Sequence, residues 1–126
     1  MTFLPRNNHY TTLVTTPEEP PAPEVQCTGR YASMGMGLLL RPTPVLYEGP
    51  NERGLMGGQL YYRTFAHYPE QCRAGTQAIQ PPFLVYHLLS HCATVEEVIR
   101  YLEQDATLVS VPMLGTVPPL HWAFRG

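Results

Sequence analysis

Fourteen prolines in 126 residues constrain the fold of this chain more than any other feature. Each proline fixes φ and removes a backbone donor, so a mainly helical domain is excluded. The prolines are also unevenly spread. Pro17, Pro20, Pro21 and Pro23 fall in TTPEEPPAPEVQ, residues 15–26, together with Glu18, Glu19 and Glu24. Such a segment buries too little apolar surface to order itself. It predicts an exposed, flexible loop over about residues 12–28, which sets a short N-terminal strand apart from the rest.

The length suits one domain over residues 1–126. Charged residues make up 14% and the net charge is -2, which gives no electrostatic grip on nucleic acid or anionic lipid. No stretch approaches the roughly 20 apolar residues of a membrane span. The first residues, MTFLPR, lack the apolar core of a secretory signal, and a cytoplasmic location is favoured. Cys27, Cys72 and Cys92 are odd in number and have no CxxC spacing. They read as reduced thiols, with one bridge plus a spare thiol as the alternative.

From Arg30 onward the pattern becomes regular. RYASMGMGLLL reads as a strand whose glycines signal close backbone approach or a bulge. Val45–Tyr47 is a short strand, Glu48–Gly54 is turn chemistry throughout, and Leu55–Phe65 returns as a strand, so the two strands form a hairpin with an enlarged loop. Gln80-Pro81-Pro82 marks a helix start. FLVYHLLSHC follows, apolar almost all round, and predicts a buried helix. Thr94 and Glu97 have capping-box spacing for a second helix. Val95, Val98, Ile99 and Leu102 form its apolar stripe, with Glu96, Arg100 and Glu103 facing away. TLVSV and LHWAF close the chain as strands. Strands, then two helices, then strands predict an α+β fold with helices on one sheet face.

The candidates for chemistry narrow quickly. His87 and His91 share one face of a helix, but no HExxH glutamate lies between them and no third ligand is evident. They read as structural, with no metal site expected. Cys27 follows an acidic loop, which raises a thiol pKa and disfavours a nucleophile; free-standing catalysis by Cys27 stays as a minor reading. No GxSxG elbow or complete phosphate-binding loop is present. The remaining stretch is YEGPNERGLMGGQLYY, residues 47–62. Asn51 can bond its own backbone and shape the turn. Gly57 and Gly58 leave room for a backbone or a ligand. Tyr61 and Tyr62 lie on opposite sheet faces, so one of them can line a site.

This stretch resembles the "NEKGL" region of the choloylglycine hydrolase family, which contains penicillin V acylases and bile salt hydrolases. The similarity continues through Phe3–Asn7 (a "PRN" strand), YASMGMG (31–37), Leu60-Tyr61-Tyr62, Gly75-Thr76, CATVEEVI (92–99) and PPLHW (118–122), in family order. The resemblance implies an N-terminal-nucleophile (Ntn) hydrolase of four-layer αββα fold that cuts linear C–N amide bonds without a cofactor. A processed N-terminal cysteine is nucleophile and its own α-amine is base. Tyr61 occupies the position that contributes to the oxyanion hole, where penicillin V acylases carry tyrosine and bile salt hydrolases asparagine. The resemblance therefore implies Tyr61 as the catalytic oxyanion donor and Gly57, Gly58 and Tyr61 as substrate contacts. It also implies a small-molecule amide substrate of the penicillin V or conjugated bile salt type, and a homo-oligomer as in the family. The sequence starts at the "PRN" strand, after the place of that cysteine, and relatives are more than twice as long. A partial chain, inactive alone, is the expectation; a non-catalytic binding module retaining half the fold is the alternative.

Overall fold

The computed structural model describes residues 1–12, 26–40, 43–61, 68, 72–109 and 119–126. Its centre is a helix that is buried on every side. Pro81–Phe83 form one 3-10 turn, Gln80 preceding it, and α1 follows over Leu84–His91. All residues from Pro81 to Ser90 are buried, as an all-round apolar run requires. A short loop leads to α2, Val95–Gln104. Its cap works as the spacing predicts: Thr94 Oγ1 accepts from the Glu97 N–H at 3.2 Å. The return arm differs, because Glu97 Oε2 accepts from Ala93 N–H, one residue earlier.

Five strands make the main sheet: β1 (Thr2–Leu4), β4 (Ser33–Leu40), β5 (Thr43–Pro50), β6 (Met56–Tyr61) and β9 (Leu120–Arg125), antiparallel in the order β1-β4-β5-β6-β9. Two small pairs flank it. β2 (His9–Thr11) pairs antiparallel with β3 (Gln26–Thr28), and β7 (Gln77–Ile79) pairs parallel with β8 (Ala106–Leu108). Of the loop expected over about 12–28, residues 13–25 lie outside the described residues and 26–28 form β3. The α+β expectation holds, with α1 laid against β4, β5 and β6.

Three local expectations shift. The strand expected from Arg30 begins at Ser33, because Arg30 and Tyr31 N–H both donate to Ser90 O at the end of α1. The turn expected from Glu48 begins only at Asn51. β5 continues through Gly49↔Gly57 and Pro50↔Met56, since Gly49 lets β4 approach so closely that a Cβ there would lie 2.0 Å from Met34 O. The register slips between Met36 and Gly37, as the glycines signalled. On α2, Val98 is buried and Val95 and Leu102 pack on the core, but Ile99 is 52% exposed. Tyr101 takes its place in the stripe, because its hydroxyl pairs with His87 Nε2 at 2.7 Å. The TLVSV strand is observed only as β8 within the described residues.

The core gathers Leu4, Leu46, Leu55, Ile79 and Val98 around α1. Arg73 closes the far end of α2, donating to the Leu102, Glu103 and Ala106 carbonyls at 2.9, 2.9 and 2.5 Å. A cation at a helix C-terminus also meets the negative end of the dipole. The opposite sheet face is different. The register places Phe3, Met34, Met36, Met56 and Leu60 on it, each at least 40% exposed.

Candidate functional site

The turn between β5 and β6 rests on one side chain. Asn51 is buried, and its Oδ1 accepts from Arg53 N–H and Leu55 N–H, both at 3.0 Å. This is the turn-shaping role the sequence predicts. Its Nδ2 also donates to Leu89 O at 2.8 Å and Cys92 O at 2.7 Å. One amide therefore joins the turn to the end of α1, where helix carbonyls lack partners of their own. Glu52, next in sequence, accepts from Arg6 Nε at 2.6 Å and from Ala32 N–H at 2.9 Å. The Arg6 hydrogen bonds, then the Ala32 N–H, hold its carboxyl down at about 2. The two contacts pin the turn after β1 and the start of β4 to the same corner.

β6 runs from this corner to Tyr61. Gly57 pairs with Gly49 on one side and Phe124 on the other. A Cβ on Gly57 would lie 2.5 Å from the Phe124 ring, so that ring occupies the space above it. Gly58 pairs with Glu48 and Ala123, and a Cβ there would meet only ordinary contacts. Alternation puts Gly57 and Gly58 on opposite faces. Tyr61, last in β6, pairs with Leu120 of β9; its side chain, and Tyr62, lie outside the described residues. Around this strand end the Leu120 N–H donates to the Tyr68 hydroxyl at 2.7 Å, and Trp122 Nε1 donates to Gln59 Oε1 at 3.3 Å. Tyr68 and Trp122 rings lie 6.1 Å apart. Burial raises the Tyr68 hydroxyl, so it stays a neutral hydrogen-bonding group.

The Phe124 contact carries a direct prediction. Gly57→Ala should cost about 1–3 kcal/mol by overpacking. Adding Phe124→Leu should recover most of the loss in a double-mutant cycle of denaturant unfolding. Additive losses would show that the ring is not what requires the glycine.

The cysteines sort by environment. Cys27 is buried, accepts from Gln77 Nε2 at 2.7 Å, and has its thiol pushed up by burial. Burial, then Glu97, pushes Cys92 up to about 12. Neither has the depressed pKa of a nucleophilic thiol. Cys72 is exposed and lies 3.3 Å from Thr76 Oγ1. His87 and His91 are engaged with tyrosine hydroxyls. Among the described residues no group of three or more His, Cys, Asp and Glu is placed to hold a metal ion.

Comparison with known proteins decides the family. The model for linear amide C–N hydrolases of the choloylglycine hydrolase family matches residues 7–126. The chain belongs to the choloylglycine hydrolase family. A bile salt hydrolase/transferase of Clostridium perfringens (strain 13 / Type A) is 29% identical over 99 residues, 77% of this chain and 30% of that protein. A mutant conjugated bile acid hydrolase from Clostridium perfringens superposes with a TM-score of 0.77 at 26% identity, over 98% of this chain and 35% of that one. Penicillin V acylase from Agrobacterium tumefaciens shares the fold, with a TM-score of 0.65 at 21% identity, over 98% of this chain and 33% of its own. This choloylglycine hydrolase chain thus spans about a third of the length of these relatives. Its sheet and helix pair match the Ntn-hydrolase neighbours, as the sequence resemblance implied.

The sequence reading had no signal for two devices: the donor half of Asn51 and the helix cap by Arg73. Each joins residues far apart in sequence, and no local spacing encodes such a meeting.

Proposed function

We propose that this chain forms one wall of the acyl-binding and oxyanion region of a linear amide hydrolase, with Tyr61 as both oxyanion donor and substrate contact. Of the glycines, Gly57 shares the face of Tyr61 but lies under Phe124, and Gly58 lies on the other face. The observation that carries the reading is the place of Tyr61. It closes β6 beside the aromatic pair Tyr68 and Trp122, in a chain that belongs to an amide hydrolase family. A phenol donates to a developing oxyanion and also stacks against an aromatic acyl group. That chemistry favours a penicillin V-like substrate. The second reading, a conjugated bile salt, draws on the higher TM-score and identity of the bile acid hydrolase match.

The nucleophile is not assigned within this chain. Cys27 and Cys92 are buried thiols whose pKa is raised, and Cys72 bonds only threonine and backbone groups in its described contacts. The 126-residue chain by itself is therefore expected not to turn over either substrate. The decisive assay gives purified full-locus protein penicillin V and glycine- or taurine-conjugated bile salts in parallel. Faster hydrolysis of penicillin V supports the aromatic acyl reading; faster release of glycine or taurine supports the other. Cleavage of neither would overturn both and favour a binding module. Turnover by the 126-residue chain, abolished by Cys27→Ser, would revive the Cys27 reading.

A further inference from the structure

Three elements distant in sequence meet at two imidazoles. The Tyr10 hydroxyl, on β2, lies 2.6 Å from His87 Nδ1, 2.9 Å from Ser90 Oγ and 3.0 Å from His91 Nδ1, all on α1. On the other side of the ring, His87 Nε2 lies 2.7 Å from the Tyr101 hydroxyl of α2. The two imidazole centroids are 4.5 Å apart. Ser90 Oγ donates to His87 O at 2.9 Å, and His91 Nδ1 lies 3.0 Å from the same carbonyl. That carbonyl can only accept, so His91 carries its proton on Nδ1. His87, fully buried, needs one N–H and one lone pair between two phenols. Neutral rings satisfy every one of these contacts.

Among the described residues the cluster has no negative partner. The titratable groups facing it among the described residues are Tyr10 from β2, Cys27 from β3, Tyr86 from α1, Tyr101 from α2 and Arg30 from the segment before β4. Burial raises the three phenols and the thiol, so all four stay neutral at and below neutral pH. Arg30 is a cation that disfavours a charge on His91. Asp105 acts on the Tyr101 hydroxyl and on Cys92, and Glu97 acts on Cys92; neither is a cause of the imidazole shifts. A proton added to His87 would be a buried cation with no counter-charge among the described residues, and one added to the half-buried His91 would be disfavoured by Arg30.

We propose that this cluster is an acid-sensitive latch, which keeps the β2–β3 pair docked on α1 and α2 only while both imidazoles are neutral and releases it in mild acid. The latch is independent of the amide hydrolase reading. Its sign follows from linkage. Burial lowers the proton affinity of His87 and His91 in the closed state, whereas a solvated imidazole titrates near about 6.5. The opened state therefore binds more protons as pH falls below that value, and closure is lost in the same direction. Between about pH 7.5 and about pH 5.5, one such histidine shifts the equilibrium about tenfold and two about 100-fold.

Amide hydrogen exchange on the intact chain at those two pH values, corrected for intrinsic rates, tests this. Residues 9–11 and 26–28 should lose about 10–100-fold protection at the lower pH, while β5 and β6 keep theirs. His87→Gln and His91→Gln, which hydrogen-bond without charging, should flatten the dependence. Equal loss in every strand would overturn the latch, because the histidines would then act on global stability alone. If a glutamine variant does not fold, imidazole NMR of the wild-type chain decides. Rings that stay neutral in the folded state at the lower pH support the latch, and rings titrating near about 6.5 overturn it.

Discussion

Asn51→Ala should lower the unfolding free energy by about 3–4 kcal/mol, at roughly 1 kcal/mol for each of four buried hydrogen bonds. The side chain is 6% exposed, so water cannot replace what it supplies. Its loss strands two N–H groups in the turn, those of Arg53 and Leu55, and two carbonyls at the end of α1, those of Leu89 and Cys92. Asn51→Asp separates the two halves. It keeps the acceptor for the turn but sets a carboxylate oxygen against two carbonyl oxygens, so it should cost at least as much as alanine. Denaturant midpoints at unchanged slope provide the measurement. A loss below about 1 kcal/mol for alanine would mean that the turn and the helix end hold each other without this amide.

Tyr61→Phe should reduce kcat of the full-locus protein by about 10²–10³-fold with little change in KM, the pattern of a donor used mainly in the transition state. Phenylalanine keeps the ring and removes the hydroxyl, so packing against an acyl group survives while donation does not. Tyr61→Asn is the informative companion. It restores a donor of different reach, and should recover activity toward conjugated bile salts more than toward penicillin V. Unchanged kcat in Tyr61→Phe would remove Tyr61 from the oxyanion hole. A fall in KM-normalised binding alone, with kcat intact, would reassign it to the acyl pocket.

What the sequence disclosed depended on how far apart the cooperating residues lie. The Thr94 and Glu97 cap is a four-residue pattern, and its Thr94 arm forms, while Glu97 reaches Ala93 N–H one residue earlier. The glycines of β4 announced a close approach, and Gly35, Gly37 and Gly49 each stand where a Cβ would strike the neighbouring backbone. The helical stripe was legible except at Ile99, where the hydroxyl of Tyr101 reaching His87 selects a different rotation of α2. The histidines were read as structural, but their bond to Tyr10, 77 positions away in the case of His87, has no local trace. Motif order, read against a known family, gave the fold and the candidate Tyr61. Within Gly57-Gly58, only packing shows that the space above Gly57 belongs to Phe124.

The bare side of the five-stranded sheet governs how this polypeptide behaves in a tube. Phe3, Met34, Met36, Met56 and Leu60 face outward there, and solvent contact with such a surface is unfavourable. Light scattering should rise with concentration, and a polarity-sensitive dye should brighten on native material before any heating. Peroxide should convert Met34, Met36 and Met56 to sulfoxides sooner than any buried sulfur reacts, making this side more polar and the preparation easier to keep in solution.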